Sequence, residues 1–395
     1  MPWSTTDAAK ERVKFILEWE KRWDAGEGVT NISELCREFG ISRETAYVWL
    51  RRYRDAGHKL EALQERSHRP HHIPNQIPVE VSDVIVAARK QRPTWGPLKL
   101  RAYLMNINPG VQFPSVSAIA DIIHRNGLTR LRRRRRQRLV VPSERPFAAA
   151  TGPNAVWCID FKGWFRTGDG CKCYPLTLID AYSRFLLRCE ALKDPDTPHV
   201  RRVLDSAFQE FGTPLAIRSD NGPPFASTGA GGLTALSVWW RRLGITPDRI
   251  TPGKPQQNGR LERFHRTLAE LVREPAEHAR AQQRAFDHFR YVYNYERPHE
   301  ALGLKPPLTA YCPSTRRYPR PLEAFADPDG TPVDKRGFIH WDRRRVFIST
   351  ALAGEMVDIV PDEDRWAVSW GSILLGWVDD NRLDRGLILP TRKRR

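Results

Sequence analysis

The sequence predicts a multidomain chain of α-helical helix-turn-helix modules, an α/β core and a small C-terminal β-barrel, and three observations carry that expectation. Short helical patterns around a glycine open the chain, a run ordered strand, strand, strand, helix, strand, helix fills its middle, and short alternating strands with turns close it. With 395 residues, 40% of them hydrophobic, there is enough chain for several domains with cores of their own.

In residues 1–63, NISELCREFGISRETAYVWLRRY reads as two short helices around Gly40, Ile41 and Ser42. Leu35, Phe39, Ile41, Ala46, Trp49 and Leu50 can pack as a mini-core, with Ser42 capping the second helix. That helix would offer Arg43, Thr45, Tyr47 and Arg51 to a major groove and leave Arg52 and Arg54 for phosphates. Any small helical hairpin would show the same pattern; the basic chain favours DNA. Residues 64–78, QERSHRPHHIPNQIP, have the proline and polar content of a linker, and their histidines lack the paired cysteines of a zinc finger.

Residues 79–129 read as a second helical DNA-binding module. Val81, Val84, Ile85 and Ala88 recur at helical spacing, GPLKLRAYL continues the pattern, and SVSAIADIIHRNGL forms a helix ending at Gly127. Residues 130–150 begin with RLRRRRRQR, seven arginines in nine positions, among them Arg132, Arg133 and Arg134. Such a block repels itself unless phosphates neutralise it; a solvated linker is the plainer alternative.

Residues 151–315 form the expected core. NAVWCIDFKGWF, CYPLTLIDAYSRF and LLRCEALK read as strands, and DPDTPHVRRVLDSAFQEFG as a helix capped by Asp196 or Thr197, with Val200, Val203, Leu204, Ala207, Phe208 and Phe211 as its apolar stripe. PLAIRSDNG is a buried strand stopping at a turn, followed by the glycine-rich STGAGG and the helix LTALSVWWRRLG. A linker is expected over 316–337, the barrel over 338–390 and a basic tail over 391–395.

Lys and Arg number 64 against 46 Asp and Glu, a net charge of +18, which points to a polyanionic partner and above all to nucleic acid. No stretch of about 18 apolar residues appears, and the opening MPWSTTDAAKERVKF lacks the apolar centre of a secretory signal, so a cytoplasmic protein without a membrane partner is expected. The six cysteines form no C-x-x-C pair and read as reduced thiols.

Three acids stand out together. Asp160 lies on a strand whose Trp157, Ile159 and Phe161 face one way and Val156 and Cys158 the other, where a carboxylate is costly to ionise. Asp220 ends the later strand, the edge at which open α/β sheets place functional groups. Glu262 sits on a helix with a buried stripe of Leu261, Phe264, Leu268 and Leu271 and a polar flank of Asn258, His265 and Arg266. Singly each has a plain structural explanation: a turn-former, a helix ion-pair partner, a strand-end acid. Asp180 in LIDAYS serves as the control and reads as hairpin-turn chemistry.

Around these acids the sequence resembles the DDE transposases of bacterial insertion sequences, relatives of retroviral integrases with a ribonuclease-H-like core. WCIDFKGWF, RSDNGPPF, GKPQQNGRLERFHRTL and NYERPHEALGLKPP carry the resemblance, which spans most of the chain. The zinc module of retroviral integrases is absent, and the interval from Asp220 to Glu262 is longer than theirs, with STGAGG the site of the extra residues.

The resemblance implies an α/β ribonuclease-H-like core with a mixed sheet. It also implies that Asp160, Asp220 and Glu262 are the catalytic acids and ligands of Mg²⁺, with Mn²⁺ able to substitute, Asp160 bridging two ions. Lys254, Arg260, Arg263 and Arg266 would hold DNA phosphates, and Gln256, Gln257 and Asn258 would touch backbone or bases. The expected partners are double-stranded DNA, both element terminal repeats and target, and further copies of the chain in a dimer or larger synaptic complex; a bacterial, nucleoid-associated location follows. A catalytically inactive DNA-binding regulator and a nuclease that cuts without joining are the rival readings. The intact acids oppose the first and the tandem helical modules oppose the second.

Overall fold

The computed structural model describes residues 7–25, 31–65, 77–129, 149–251, 255–319, 321–341, 343–380 and 386–390. The chain divides into two compact units, residues 1–76 and 77–395.

In the first unit, α1 (Ala8–Asp24), α2 (Ile32–Glu38) and α3 (Arg43–Asp55) enclose one small core. Ser42 caps α3 as expected, its Oγ accepting from Thr45 N at 3.1 Å. Leu35, Ile41, Ala46 and Leu50 are buried as the sequence predicts, while Phe39 and Trp49 pack only at the rim. The helix-turn-helix is completed by α1, which brings Phe15, Ile16 and Trp19. A two-helix hairpin has too little apolar surface to hold itself; the third helix supplies the missing burial.

The second unit opens with α4 (Val79–Gln91), α5 (Pro97–Ile107) and α6 (Val116–Arg125) around Ile85, Leu100, Leu104 and Ile119. Beyond residue 148 comes a mixed sheet ordered β4–β3–β1–β5–β6. Its strands are β1 (Val156–Phe161), β3 (Lys172–Asp180), β4 (Leu186–Leu192), β5 (Ala216–Ser219) and β6 (Thr246–Arg249), with the short β2 (Phe165–Arg166) paired to the start of β3. β1, β3 and β4 run antiparallel, and β5 and β6 lie parallel to β1. Neither β2 nor β6 stood out in the sequence; TPDR in β6 lacks the β-branched alternation that marks a strand, and its pairing to β5 makes it one.

Period-two alternation in β1 feeds two cores. Trp157 and Ile159 pack under α7 (Thr197–Phe211) and α8 (Ala235–Arg242), while Val156 and Cys158 face α9 (Gly259–Val272) and α10 (Ala279–Tyr291). Asp196 rather than Thr197 caps α7, accepting from His199 N at 2.9 Å.

The C-terminal strands pair as a sheet and a separate ribbon. β7 (Thr331–Pro332), β10 (Met356–Asp362), β11 (Arg365–Trp370) and β12 (Ile373–Val378) form one antiparallel sheet, and β8 (Phe338–Trp341) pairs β9 (Arg344–Phe347) in a separate ribbon. No pairing among the described residues closes them into the expected barrel. Burial comes instead from the core: Ala230, Leu233 and Val238 share a cluster with Trp370, Leu375 and Val378. STGAGG, expected to lengthen a loop by the active site, therefore serves as a packing surface. Gly231, at φ +59°, leaves no room for a side chain, since a Cβ there would meet Ile373 Cγ2 at 3.0 Å. Residues expected as linker also pack: Arg316 donates to the carbonyls of Pro214 and Gly244 at 2.6 and 2.8 Å, and Phe325 lies 4.4 Å from the Trp370 ring.

Candidate active site

Asp160 is fixed by the register of β1 against β3, which sets it opposite Thr177. The Thr177 hydroxyl donates to the Asp160 carbonyl at 3.0 Å and lies 2.8 Å from His265 Nε2. With its single proton committed, that oxygen accepts from His265 Nε2–H, which leaves Nδ1 unprotonated, 4.0 Å from Asp160 Oδ2. Burial, and then the nearby Lys162, pull the His265 pKa down to about 3, so the ring is neutral and supplies no cation to the acid. The sequence placed His265 on a polar flank. It is buried, and nothing in its helical spacing foretold a strand threonine as its partner.

Asp220 follows β5 directly, and Asn221 Nδ2 pins the turn by donating to Ile250 O at 2.7 Å. Two residues earlier, Arg218 reaches Asp248 Oδ2 of β6 at 2.7 Å and the Gln257 carbonyl at 3.2 Å. One arginine thus ties the strand carrying Asp220 to the segment that starts α9. Leu261, Phe264 and Leu268 seat that helix as the sequence predicts, while the Leu271 side chain is outside the described residues; Glu262 projects exposed.

The electrostatics join the three acids. The Asp160 pKa is raised to about 7, first by burial, then by the charge of Asp220, with Glu262 adding to it, while the Phe161 N–H and Lys162 oppose the rise. Burial also raises Asp220, against a hydrogen bond from Gly222 N–H. Asp220 Oδ1 is buried with no hydrogen-bond partner. A strand, a strand end and a helix therefore bring three carboxylates close enough to repel. Among the described residues, no three acid, histidine or cysteine side chains converge tightly enough to hold an ion as they stand. The donor chemistry nonetheless fits a hard divalent cation: all donors are carboxylate oxygens, one is orphaned, and the central acid resists ionisation for want of a counter-charge.

The expected DNA-binding residues divide. Arg43, Tyr47 and Arg51 are exposed on α3, whereas Thr45 is half-buried with Oγ1 2.8 Å from Ser42 Oγ. Arg52 donates to Gln64 O at 2.8 Å and lies over the Trp49 ring, and Arg54 lies over Trp19, which commits both to internal contacts. Arg263 and Arg266 are exposed on α9, while Arg260 donates to the Ala181 carbonyl. Asn258 is buried with its Oδ1 lacking a hydrogen-bond partner, and Gln257 Oε1 accepts from Thr251 N at 2.6 Å, which engages Gln257 in the turn before α9. Lys254, Arg132, Arg133 and Arg134 lie outside the described residues, as does the Gln256 side chain.

The sheet is mixed, with one acid on its central strand, a second at the end of the neighbouring parallel strand and a third on a covering helix. The family described as integrase core domain matches residues 150–255 and, in a second form, 243–307; a helix-turn-helix domain matches 12–71 and a homeodomain-like domain 45–123. The chain carries an integrase core domain preceded by helix-turn-helix domains, homologous to insertion-element proteins and retroviral polyproteins. An uncharacterized 31.7 kDa protein of insertion element IS407 from Burkholderia multivorans is 35% identical over 187 residues, 46% of this chain and 63% of the relative. An uncharacterized 39.2 kDa protein of IS476 from Xanthomonas euvesicatoria is 30% identical over 50% of this chain and 56% of its own length. The chain thus spans roughly three-fifths of these relatives. The Gag-Pol polyprotein of baboon endogenous virus is 35% identical over 30% of this chain and 6% of its own. Among solved structures, the HTLV-2 integrase catalytic core domain in complex with magnesium aligns over 41% of this chain and 99% of its own, at 16% identity and a TM-score of 0.31, a likeness too slight to carry an argument.

Proposed function

We propose that the protein is the transposase of an insertion element, a polynucleotidyl transferase that cuts at the element's ends and joins them to target DNA. The observation that carries this reading is Asp160 on the central strand, its ionisation opposed first by burial and then by the charges of Asp220 and Glu262, inside a segment that matches the integrase core domain. A site whose acids repel is unfavourable on its own and becomes favourable around a cation.

Asp160, Asp220 and Glu262 would hold Mg²⁺, or Mn²⁺ in its place. When bound, the metal supplies positive charge that offsets the shielding of a phosphodiester and acidifies an attacking hydroxyl. The chain's own part is positional. The β1 register sets Asp160, Arg218 ties Asp220's strand to the start of α9, and the Thr177–His265 pair buttresses the Asp160 backbone. The chemistry is two displacements at phosphorus. Water replaces the bridging ester oxygen at the element's end and frees a 3′-hydroxyl; that hydroxyl then replaces the ester oxygen in the target strand. Each step exchanges one P–O bond for another, so no covalent link to the protein is needed.

The exposed face of α3 is the surface proposed for end recognition, with Arg43, Tyr47 and Arg51 toward a major groove. Joining two ends implies at least two copies in the synaptic complex. No described helix is long and apolar enough to cross a membrane.

The test uses purified full-length protein, DNA carrying the sequences that flank its gene, and Mg²⁺ or Mn²⁺, comparing wild type with Glu262→Gln. Metal-dependent cleavage and joining, both lost in the variant, establish the transposase. Cleavage without joining indicates a nuclease, and binding without either product indicates the regulator.

A further inference from the structure

One cleft of about 600 Å³ is lined by α9, by α5 and by the segment 292–301, and none of the three acids lines it. On α9 the lining residues Gly259, Arg263, Arg266 and Glu270 recur every three or four positions, a stripe one step round the helix from Glu262. The opposite wall comes from α5 through Lys99 and from a π-helical turn (Val292–Glu296) that leads into Arg297 and His299.

Six cations line this cleft: Lys99, Arg184, Arg260, Arg263, Arg266 and Arg297. Among the described lining residues they face two acids, Glu270 and Glu300, the latter 3.6 Å from Lys99. Burial lowers the pKa of Arg184 and of Arg297. The Arg184 and Arg297 guanidiniums have lost water, and the charges near them do not restore their ordinary values. His299, brought down to about 3 by burial and then by Arg297, has its Nε2 buried with no hydrogen-bond partner.

Backbone geometry points the same way. Arg184 sits at φ +67° in the turn after β3, a conformation that asparagine or glycine adopts far more cheaply. The turn is held by Asp180, whose Oδ2 accepts from Ser183 N at 2.7 Å and whose carbonyl accepts from Arg184 N at 3.0 Å. From that strained position the Arg184 side chain lines the cleft, with Nη1 donating to the Ala181 carbonyl at 3.1 Å.

We propose that this cleft seats consecutive backbone phosphates of bound DNA, gripping the strand between the helical module of α4–α6 and the core. The excess of four positive charges matches two or more phosphodiesters, each carrying one negative charge, and guanidiniums hold such oxygens in pairs. The Arg92–Glu296 and Lys99–Glu300 ion pairs already join the α4–α6 module to the segment 292–301 of the core, so a phosphate held by both would lock the module onto the core. The proposal rests on the transposase reading for the source of the phosphates, not for the existence of the anion seat.

The test measures binding of a 30-base-pair duplex to full-length protein by fluorescence anisotropy across salt concentrations, without divalent metal. Wild type is compared with Arg184→Gln/Arg297→Gln and with the charge-keeping Arg184→Lys/Arg297→Lys. Each neutralised phosphate contributes about 0.9 to the slope of log affinity against log salt, so the Gln pair should lower the slope by about 1 to 2 and weaken binding at least tenfold. The Lys pair should keep most of the slope. Should the Gln pair fail to fold, Arg263→Gln, on an exposed helix position, should lower the slope by about 0.9. An unchanged slope with folded variants overturns the proposal while metal-dependent cleavage by wild type leaves the transposase standing. Wild type that neither binds nor cleaves removes both. A third arm warms wild type in inorganic phosphate and in chloride at equal ionic strength. Stabilisation by phosphate together with an unchanged DNA slope would make the cleft a free-phosphate site and overturn its assignment to DNA.

Discussion

Two carboxylates mark the two ends of the β1–β3 ladder, and their surroundings could hardly differ more. Asp180, opposite Trp157, is fully buried; its oxygens accept from Asn154 N at 2.8 Å, Ser183 N at 2.7 Å and Ser183 Oγ at 2.6 Å. Asp160, three residues along β1 and opposite Thr177, meets two further carboxylates instead. Burial raises the pKa of both, but at Asp180 the hydrogen bonds from Ser183 and Asn154 oppose the rise, whereas at Asp160 Asp220 and Glu262 add to it. A buried charge that is paid for locally belongs to the fold; one left in deficit awaits something the fold does not supply.

That contrast breaks if the two acids respond alike. Asp160→Asn, Asp220→Asn or Glu262→Gln should lower metal-dependent cleavage by roughly 10³-fold or more, the scale on which loss of a group essential to the transition state is felt. Duplex affinity in chelator should hardly change. A variant with near wild-type cleavage takes its residue out of the site. Asp180→Ala should do the reverse, stranding three buried donors and costing about 3 kcal/mol or more in denaturant unfolding, with the slope of the transition unchanged. An Asp180→Ala protein as stable as wild type would place that acid with the functional set.

Metal titration sharpens the comparison further. A divalent ion that binds the folded site stabilises it by about 2.7 kcal/mol when present at a hundred times its Kd. Mg²⁺ or Mn²⁺ should therefore raise the melting temperature of wild type and of Asp180→Asn, but not that of Asp160→Asn. In chelator, Asp160→Asn should melt at or above wild type, because repulsion from Asp220 and Glu262 is relieved. Equal responses to metal in all three would show that the ion binds elsewhere. His265→Ala, which removes the donor to Thr177, should cost about 10- to 100-fold in turnover with KM for DNA unchanged, the behaviour of a positioning residue.

Much of this was legible in sequence because its signals are periodic or local. Alternation in VWCIDF gave both faces of β1, the spacing of Leu261, Phe264 and Leu268 gave the seat of α9, and the LIDAYS turn gave the role of Asp180. What stayed hidden depends on contacts distant along the chain. β6 becomes a strand only through its parallel partner β5, and His265 acquires its role from a threonine 88 residues earlier. STGAGG reads as a loop because glycine marks turns, yet Gly231 is where Ile373 and Leu375 approach the backbone closely. Short alternating strands at the C-terminus state that each ladder has an apolar face, not what covers it, and here the core covers part of it.

The smallest effect carries the same contrast onto α3, between arginines of identical chemistry. Arg43 and Arg51 are exposed, whereas Arg52 holds Gln64 O at 2.8 Å and stacks over Trp49 at 4.9 Å. An arginine engaged inside its own unit has little to offer a phosphate, so the satisfied one should act on stability and the exposed pair on DNA. Arg43→Ala/Arg51→Ala should leave unfolding within about 0.5 kcal/mol of wild type and lower the salt slope of duplex binding by about 1 to 2. Arg52→Ala should cost about 1 kcal/mol of stability, through its hydrogen bond and its packing on the indole, and leave the slope unchanged. If Arg52→Ala lowers the slope instead, its internal contacts give way when DNA binds, and partnership within the unit no longer separates structural arginines from functional ones.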